Sequence, residues 1–213
     1  RKKHEFVLIK NQKVRTAISS VAHPVESFRL VKEQHMGSIV VSIVLLSVFY
    51  FVTVMNDTMS GFMFTNFNSE KYNAFYVFLS TVGLTLLFVI SNWLVCTLFG
   101  GIGKLNEIFI VSSYSLIPLI FAKLCNLVLT HLLTPNEGAF LGIFTTVFTL
   151  YAAFMLIVGL MRIHDYEFKK FVGTTVFTVV AMMIIVFLIF LIFLISQQLF
   201  GWFGTLYVEL RYR

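Results

Sequence analysis

Five long apolar stretches, divided by short polar breaks, run through this chain from about Ser38 to Phe200. They constrain its fold more than any other feature. The hydrocarbon core of a bilayer is about 30 Å thick, and a helix needs roughly 20 apolar residues to cross it. Val176 to Ile195 reads VFTVVAMMIIVFLIFLIFLI and contains no ionisable side chain. A helix on the surface of a water-soluble domain keeps one polar face, and this segment has none. The sequence therefore predicts an all-α, polytopic membrane protein with five transmembrane helices.

Composition agrees with that class. Apolar residues make up 58% of the chain and charged residues 12%, against about 25% charged in ordinary soluble proteins. The 25 phenylalanines suit packing against lipid and carry no catalytic implication. A net charge of +6 is compatible with nucleic acid, but the basic residues flank apolar spans, where anionic headgroups are the nearer counter-charge. No basic stripe with interleaved aromatics stands outside the spans, so no nucleic-acid partner is expected. Cys96 and Cys125 fall inside predicted spans and read as small apolar residues rather than a disulfide. The chain opens on Arg1, and an upstream continuation is expected.

The spans are placed near residues 38–55, 74–99, 106–133, 138–161 and 173–198, with residues 1–22 as a preceding segment and 23–213 as the membrane domain. Basic flanking residues set orientation. Arg1, Lys2, Lys3, Lys10, Lys13, Arg15, Arg29 and Lys32 precede span one, and Lys104, Arg162, Lys169 and Lys170 lie in the alternate breaks on the same side. The opposite side has only Lys71, Arg211 and Arg213. This bias predicts a cytoplasmic N-terminus and an extracytoplasmic C-terminus in the cell membrane.

Ahead of span one, Pro24 fits the first turn of a helix, and Val25, Phe28 and Val31 recur at helical spacing with Arg29, Lys32 and Glu33 facing elsewhere. This is expected to be an amphipathic helix lying on the membrane surface, either as an orienting anchor or as a docking helix for a partner. Phe6-Val7-Leu8-Ile9 is compatible with a strand. Near the other end, Trp202, Tyr207 and Tyr212 favour headgroup depth. A second interfacial helix is expected to begin near Gly201 and Gly204, and the loop from Asn56 to Asn73 to form a small cap.

Candidate chemistry is sparse. Gly100-Gly101-Ile102-Gly103-Lys104 lacks the strand, the spacing and the hydroxyl of a phosphate-binding loop, and reads as a tight hairpin between spans. Ionisable or strongly polar residues at membrane depth are functional candidates by default, here Asn92, Glu107, Lys123, Asn126 and His131. Glu107 is expected to stay solvated one turn inside span three, favoured by the positive helix end. At about 1.5 Å per residue, Lys123 lies about 24 Å farther along and is expected to snorkel to water. Pro118 is expected to kink span three, with Ser112, Ser113 and Tyr114 near the freed carbonyl. His164-Asp165, with no second histidine or cysteine nearby, reads as a surface loop and not a metal site. No catalytic pattern, metal site or cofactor site is expected.

The order of parts resembles the Yip1-domain family. The residues that carry the resemblance are His23 to Phe28, Gly100 to Gly103, Ser113-Tyr114-Ser115-Leu116-Ile117-Pro118, Gly159 to His164, and Gln197-Gln198-Leu199. The last two look most like bacterial members, of the Gram-positive type. The resemblance implies five spans and an accessory membrane component beside a carbohydrate ABC transporter, and it supplies no catalytic residues. Partners expected on this basis are the bilayer and other integral membrane proteins, such as ABC permease subunits.

The candidate partner or interhelical contacts are Phe28, Arg29, Lys32, Asn92, Glu107, Tyr114, Pro118 and Lys123. Spans one and five are expected to be the more lipid-exposed, and spans two to four to offer Ser80, Thr81, Gly83, Ser91, Asn92, Thr145, Thr146, Ala152 and Ala153 for close contact. A standalone permease would need a water-lined path past Asn92, Glu107 and Asn126. Membrane shaping would act through the interfacial helices.

Overall fold

A computed structural model of the chain describes residues 13–61, 63–64 and 72–212. Helical backbone over residues 13–22 forms α1, and α2 spans Pro24–Glu33. Five helices long and apolar enough to cross a membrane follow: α3 (Ile39–Met59), α4 (Ala74–Leu98), α5 (Leu105–Leu132), α6 (Gly138–His164) and α7, which continues from Phe168 to Tyr212. No strand occurs among the described residues. The segment Phe6 to Ile9, and most of the expected cap between Asn56 and Asn73, lie outside them.

Packing centres on α5. More than half of its apolar window (56%) is buried, against 28% for α3, 22% for α4, 17% for α6 and 6% for α7. It touches α3 along its length, α4 and α6 on other sides, and α2 at its start. The most exposed span is α7, as expected for span five. Span one is different: α3 buries Ser42, Leu46, Val52 and Thr53 and is no more exposed than α4 or α6. Its lack of small residues does not keep it off α5, because a branched apolar seam can also fill a helix groove.

Local irregularities follow from the residues. Pro118 cannot donate to the carbonyl of Tyr114, and the α-helical pattern is interrupted at Ser115-Leu116 before resuming at Ile117. Ser115 Oγ donates to Val111 O at 2.9 Å, whereas Ser112 and Ser113 hydroxyls have no hydrogen-bond partner. The Tyr114 hydroxyl instead accepts the Ser38 amide at 3.2 Å, fixing the start of α3. In α4, a π-helical turn covers Leu79–Gly83, a single-turn bulge of the kind that reorients a helix face. The expected break near Gly201 and Gly204 is absent, and α7 continues as one helix of 45 residues. That is about 68 Å of helix, over twice the thickness of a hydrocarbon core.

The N-terminal helices are part of the bundle. Phe28 is 0% exposed and Val31 is 1% exposed. A Cβ on Gly159 of α6 would sit 2.4 Å from Val111 Cγ1 and 3.1 Å from the Phe28 ring. Phe28 therefore fills a space between α5 and α6 and does not lie in lipid. Hydrophobic spacing alone cannot distinguish those two apolar surroundings. Ala17 of α1 joins the same core, and the Tyr151 hydroxyl donates to Val21 O.

Candidate functional site: a polar cluster at the α2 end of the bundle

The glycine-rich turn after α4 makes close contact possible at this end. Gly100 adopts φ +68°, and the Gly101 amide donates to Cys96 O at 2.7 Å, a Schellman-type ending that needs a left-handed residue. A Cβ on Gly101 would lie 2.5 Å from Tyr166 Oη, and one on Gly103 would lie 2.7 Å from His164 Cε1. Glycine is required here because the turn rests directly on two rings.

Those rings belong to the α6–α7 connection. His164 is 2% exposed, and Asp165 ends α6 in the left-handed conformation with φ 54°. His164 and Tyr166 stack at 5.3 Å between centroids, and Lys170 Nζ lies 4.4 Å over the Tyr166 ring. His164 Nε2 pairs with Asn92 Oδ1 at 3.1 Å. Since an amide oxygen only accepts, Nε2 carries the proton. Asn92 Nδ2 donates to Thr178 Oγ1 at 3.4 Å, and Thr178 Oγ1 donates to Thr174 O at 2.8 Å. The chain of bonds joins α6, α4 and α7 and leaves His164 Nδ1 without a partner. Tyr166 donates to Cys96 O at 3.3 Å. Burial, with the neighbouring Cys96 second, holds its phenol above the ordinary tyrosine range, so it stays protonated and donating.

A charged pair closes the other side. Glu107 is 6% exposed. Lys32 Nζ lies 3.2 Å from its Oε2 and also donates to Ile102 O at 3.0 Å. The same carboxylate accepts the Lys104 amide at 3.1 Å, while His35 Nδ1 lies 4.0 Å from Oε1. Glu107 is thus not a solvated terminal acid. It joins α2 to the start of α5, and bonds to ionised groups are stronger than neutral ones.

The sequence candidates divide by place. Phe28, Lys32, Asn92, Glu107 and Tyr114 all lie toward the α2 end. Arg29 is exposed on α2, near Glu33 at 4.0 Å. Pro118 is at the break in α5. Lys123 lies toward the opposite end, where it is half-buried, attracted to Asp57 and fixed by Asn56 Nδ2 donating to its carbonyl at 2.9 Å. Asn126 bonds Thr145 Oγ1 at 2.7 Å. Both cysteines are free thiols.

His164 is the residue whose surroundings differ most from expectation: it is a buried hub and not a surface loop. The signal was present, since Ala152, Met155, Gly159 and Ile163 form a buried helical stripe, and His164, four residues after buried Leu160, continues it. Thr178 and Tyr166 had no comparable signal. No group of three or more His, Cys, Asp or Glu able to hold a metal occurs among the described residues.

A second feature lies at mid-depth. A cavity of about 360 Å³ opens between α4, α5, α6 and α7, with Ser112, Ser115, Thr149, Ala152 and Ala153 among its lining residues. Its walls are almost wholly apolar. Of the expected small-residue contacts, Ala152 and Ala153 reach it. Ser91 and Asn92 are consumed inside the bundle, while Ser80 and Thr146 are exposed.

Five apolar helices with polar groups gathered at one end define a multi-pass integral membrane protein. The Yip1 domain family model matches residues 18–191, and the chain belongs to that family. Comparison with curated proteins and with solved structures found no match.

Proposed function

We propose that this protein is a non-enzymatic accessory or scaffold subunit that packs its spans against partner membrane proteins, with the α2 end in the cytoplasm of a bacterial cell. The observation that carries this reading is the groove between α4 and α6. Ala152, Ala153, Thr149 and Ser115 let another helix approach closely, and close approach is what drives helix association in lipid. The exposed apolar length of α7 beside it offers further surface of the same kind. A carbohydrate ABC importer is the partner that the family resemblance implies.

The polar residues at depth support a structural role over a transport path. Asn92, Glu107 and Asn126 each engage a neighbouring helix, with Asn92 and Glu107 buried. The distribution of basic residues supports the orientation. Purification of the tagged protein in mild detergent, followed by mass spectrometry, is expected to recover other membrane subunits. Ala153→Leu, which fills the groove, is expected to reduce that recovery. Recovery only as a monomer, or solute flux in liposomes holding this protein alone, would contradict the proposal.

A further inference from the structure

Between the corner of α1 and α2 and the facing side of α6 lies a cavity of about 620 Å³. Arg29 projects from α2 and Arg162 from the last turn of α6, and both line it, as do His23 and Glu26. Its remaining wall includes Tyr151 and Phe154, whose rings stack at 6.2 Å between centroids. Phe154 is 49% exposed. Arg162 makes no hydrogen bond or ion pair among the described residues, whereas His164, two positions on, is turned inward and bonded to Asn92 through Nε2.

Depth gives these residues meaning. Arg162 sits where the apolar span α6 ends, and Phe154 lies about 12 Å closer to the middle of that helix. Two guanidinium groups at the edge of the hydrocarbon, above an exposed aromatic wall, match a phosphodiester with its acyl chain running below. Arginine forks fit phosphate oxygens in geometry as well as in charge, and basic pockets beside spans bind anionic headgroups. Glu26 offsets one positive charge and offers an acceptor for headgroup hydroxyls.

We propose that the α1–α2 corner and α6 form a binding site for one anionic phospholipid of the adjacent leaflet. Arg29 and Arg162 hold the phosphate, and Tyr151 and Phe154 flank the upper acyl chain. The site would fix α2 against the membrane surface through a lipid, in addition to its direct contacts with α5 and α6.

Native mass spectrometry of the full chain in detergent, titrated separately with phosphatidylglycerol and phosphatidylcholine of the same acyl chains, tests this. The intact protein is expected to retain one phosphatidylglycerol in preference to phosphatidylcholine. The pair R29Q and R162Q should weaken that retention by roughly tenfold, while R29K with R162K keeps most of it. K104Q with K169Q, which changes charges outside the cavity, should leave it unchanged. Equal retention of the two lipids by the intact protein would overturn the proposal whether or not any variant folds. So would full retention by R29Q with R162Q. Displacement of the lipid by millimolar inorganic phosphate would assign the cavity to a soluble anion and overturn it too.

Discussion

The two ends of the chain meet the membrane in opposite ways. At the α2 end, short amphipathic helices, a glycine turn and the ends of α4 to α7 enclose side chains that are nearly all partnered. Along α7 beyond Phe187, every side chain from Phe187 to Ile195 is exposed and apolar. Both regions are rich in phenylalanine and branched residues, yet one is a protein core and the other a lipid or partner surface. What separates them is not hydrophobicity but small and polar residues. Gly101, Gly103 and Gly159 permit contact, and Asn92, His164 and Glu107 direct it. In lipid, where apolar burial gives helices little reason to associate, such residues specify the packing.

The contrast is sharpest at Phe28. Phe28→Ala empties a fully enclosed space and should cost about 4 kcal/mol, read as a drop in thermal unfolding temperature in detergent. Phe193→Ala on α7 should change it by less than about 0.5 kcal/mol. Equal effects would erase the distinction between the two regions.

Lys32→Met comes next, because it leaves the buried Glu107 carboxylate with only the Lys104 amide and the more distant His35 ring. Lys32 is 21% exposed, so the cost should be about 2 kcal/mol, below that of breaking a fully buried pair. Adding Glu107→Gln should restore part of it. Asn92→Leu follows at about 1.5 kcal/mol, since His164 Nε2 is left buried without its partner and Thr178 Oγ1 keeps only its bond to Thr174 O. In native-state hydrogen exchange, its effect should appear in α4, α6 and the first turns of α7 and not in α3. Among the residues of the polar end, a smaller effect is expected at Asp165, where φ is positive. Asp165→Val should cost about 1 kcal/mol, while Asp165→Gly should be neutral or slightly stabilising.

Much of this architecture was legible beforehand for a physical reason. Long apolar runs between polar breaks have few alternatives to spanning helices, so α3 to α6 begin and end within a few residues of expectation. The departures arise where two environments look alike in sequence. Phe28 has the spacing of a membrane-lying helix, but the same spacing serves a helix packed on protein. Gly201 and Gly204 suggest a break, although glycine weakens a helix by only about 1 kcal/mol, and α7 remains helical through both positions. His164 lies beside Asp165 in a polar stretch, and only the stripe from Ala152 to Ile163 reveals its inward face. Thr178 became part of the cluster through the docking of α7 on α4, a long-range event that local pattern does not encode.

Threading is the property on which the span assignment, the orientation and the proposed partner surface all depend. Single cysteines introduced as Arg15→Cys and Arg211→Cys, in a chain carrying Cys96→Ser and Cys125→Ser, can be labelled in intact cells with a membrane-impermeant maleimide. Five crossings, with the proposed cytoplasmic α2 end, predict labelling at residue 211 and protection at residue 15 until the membrane is opened. Labelling of both positions, or protection of both, in intact cells would contradict the five-span arrangement.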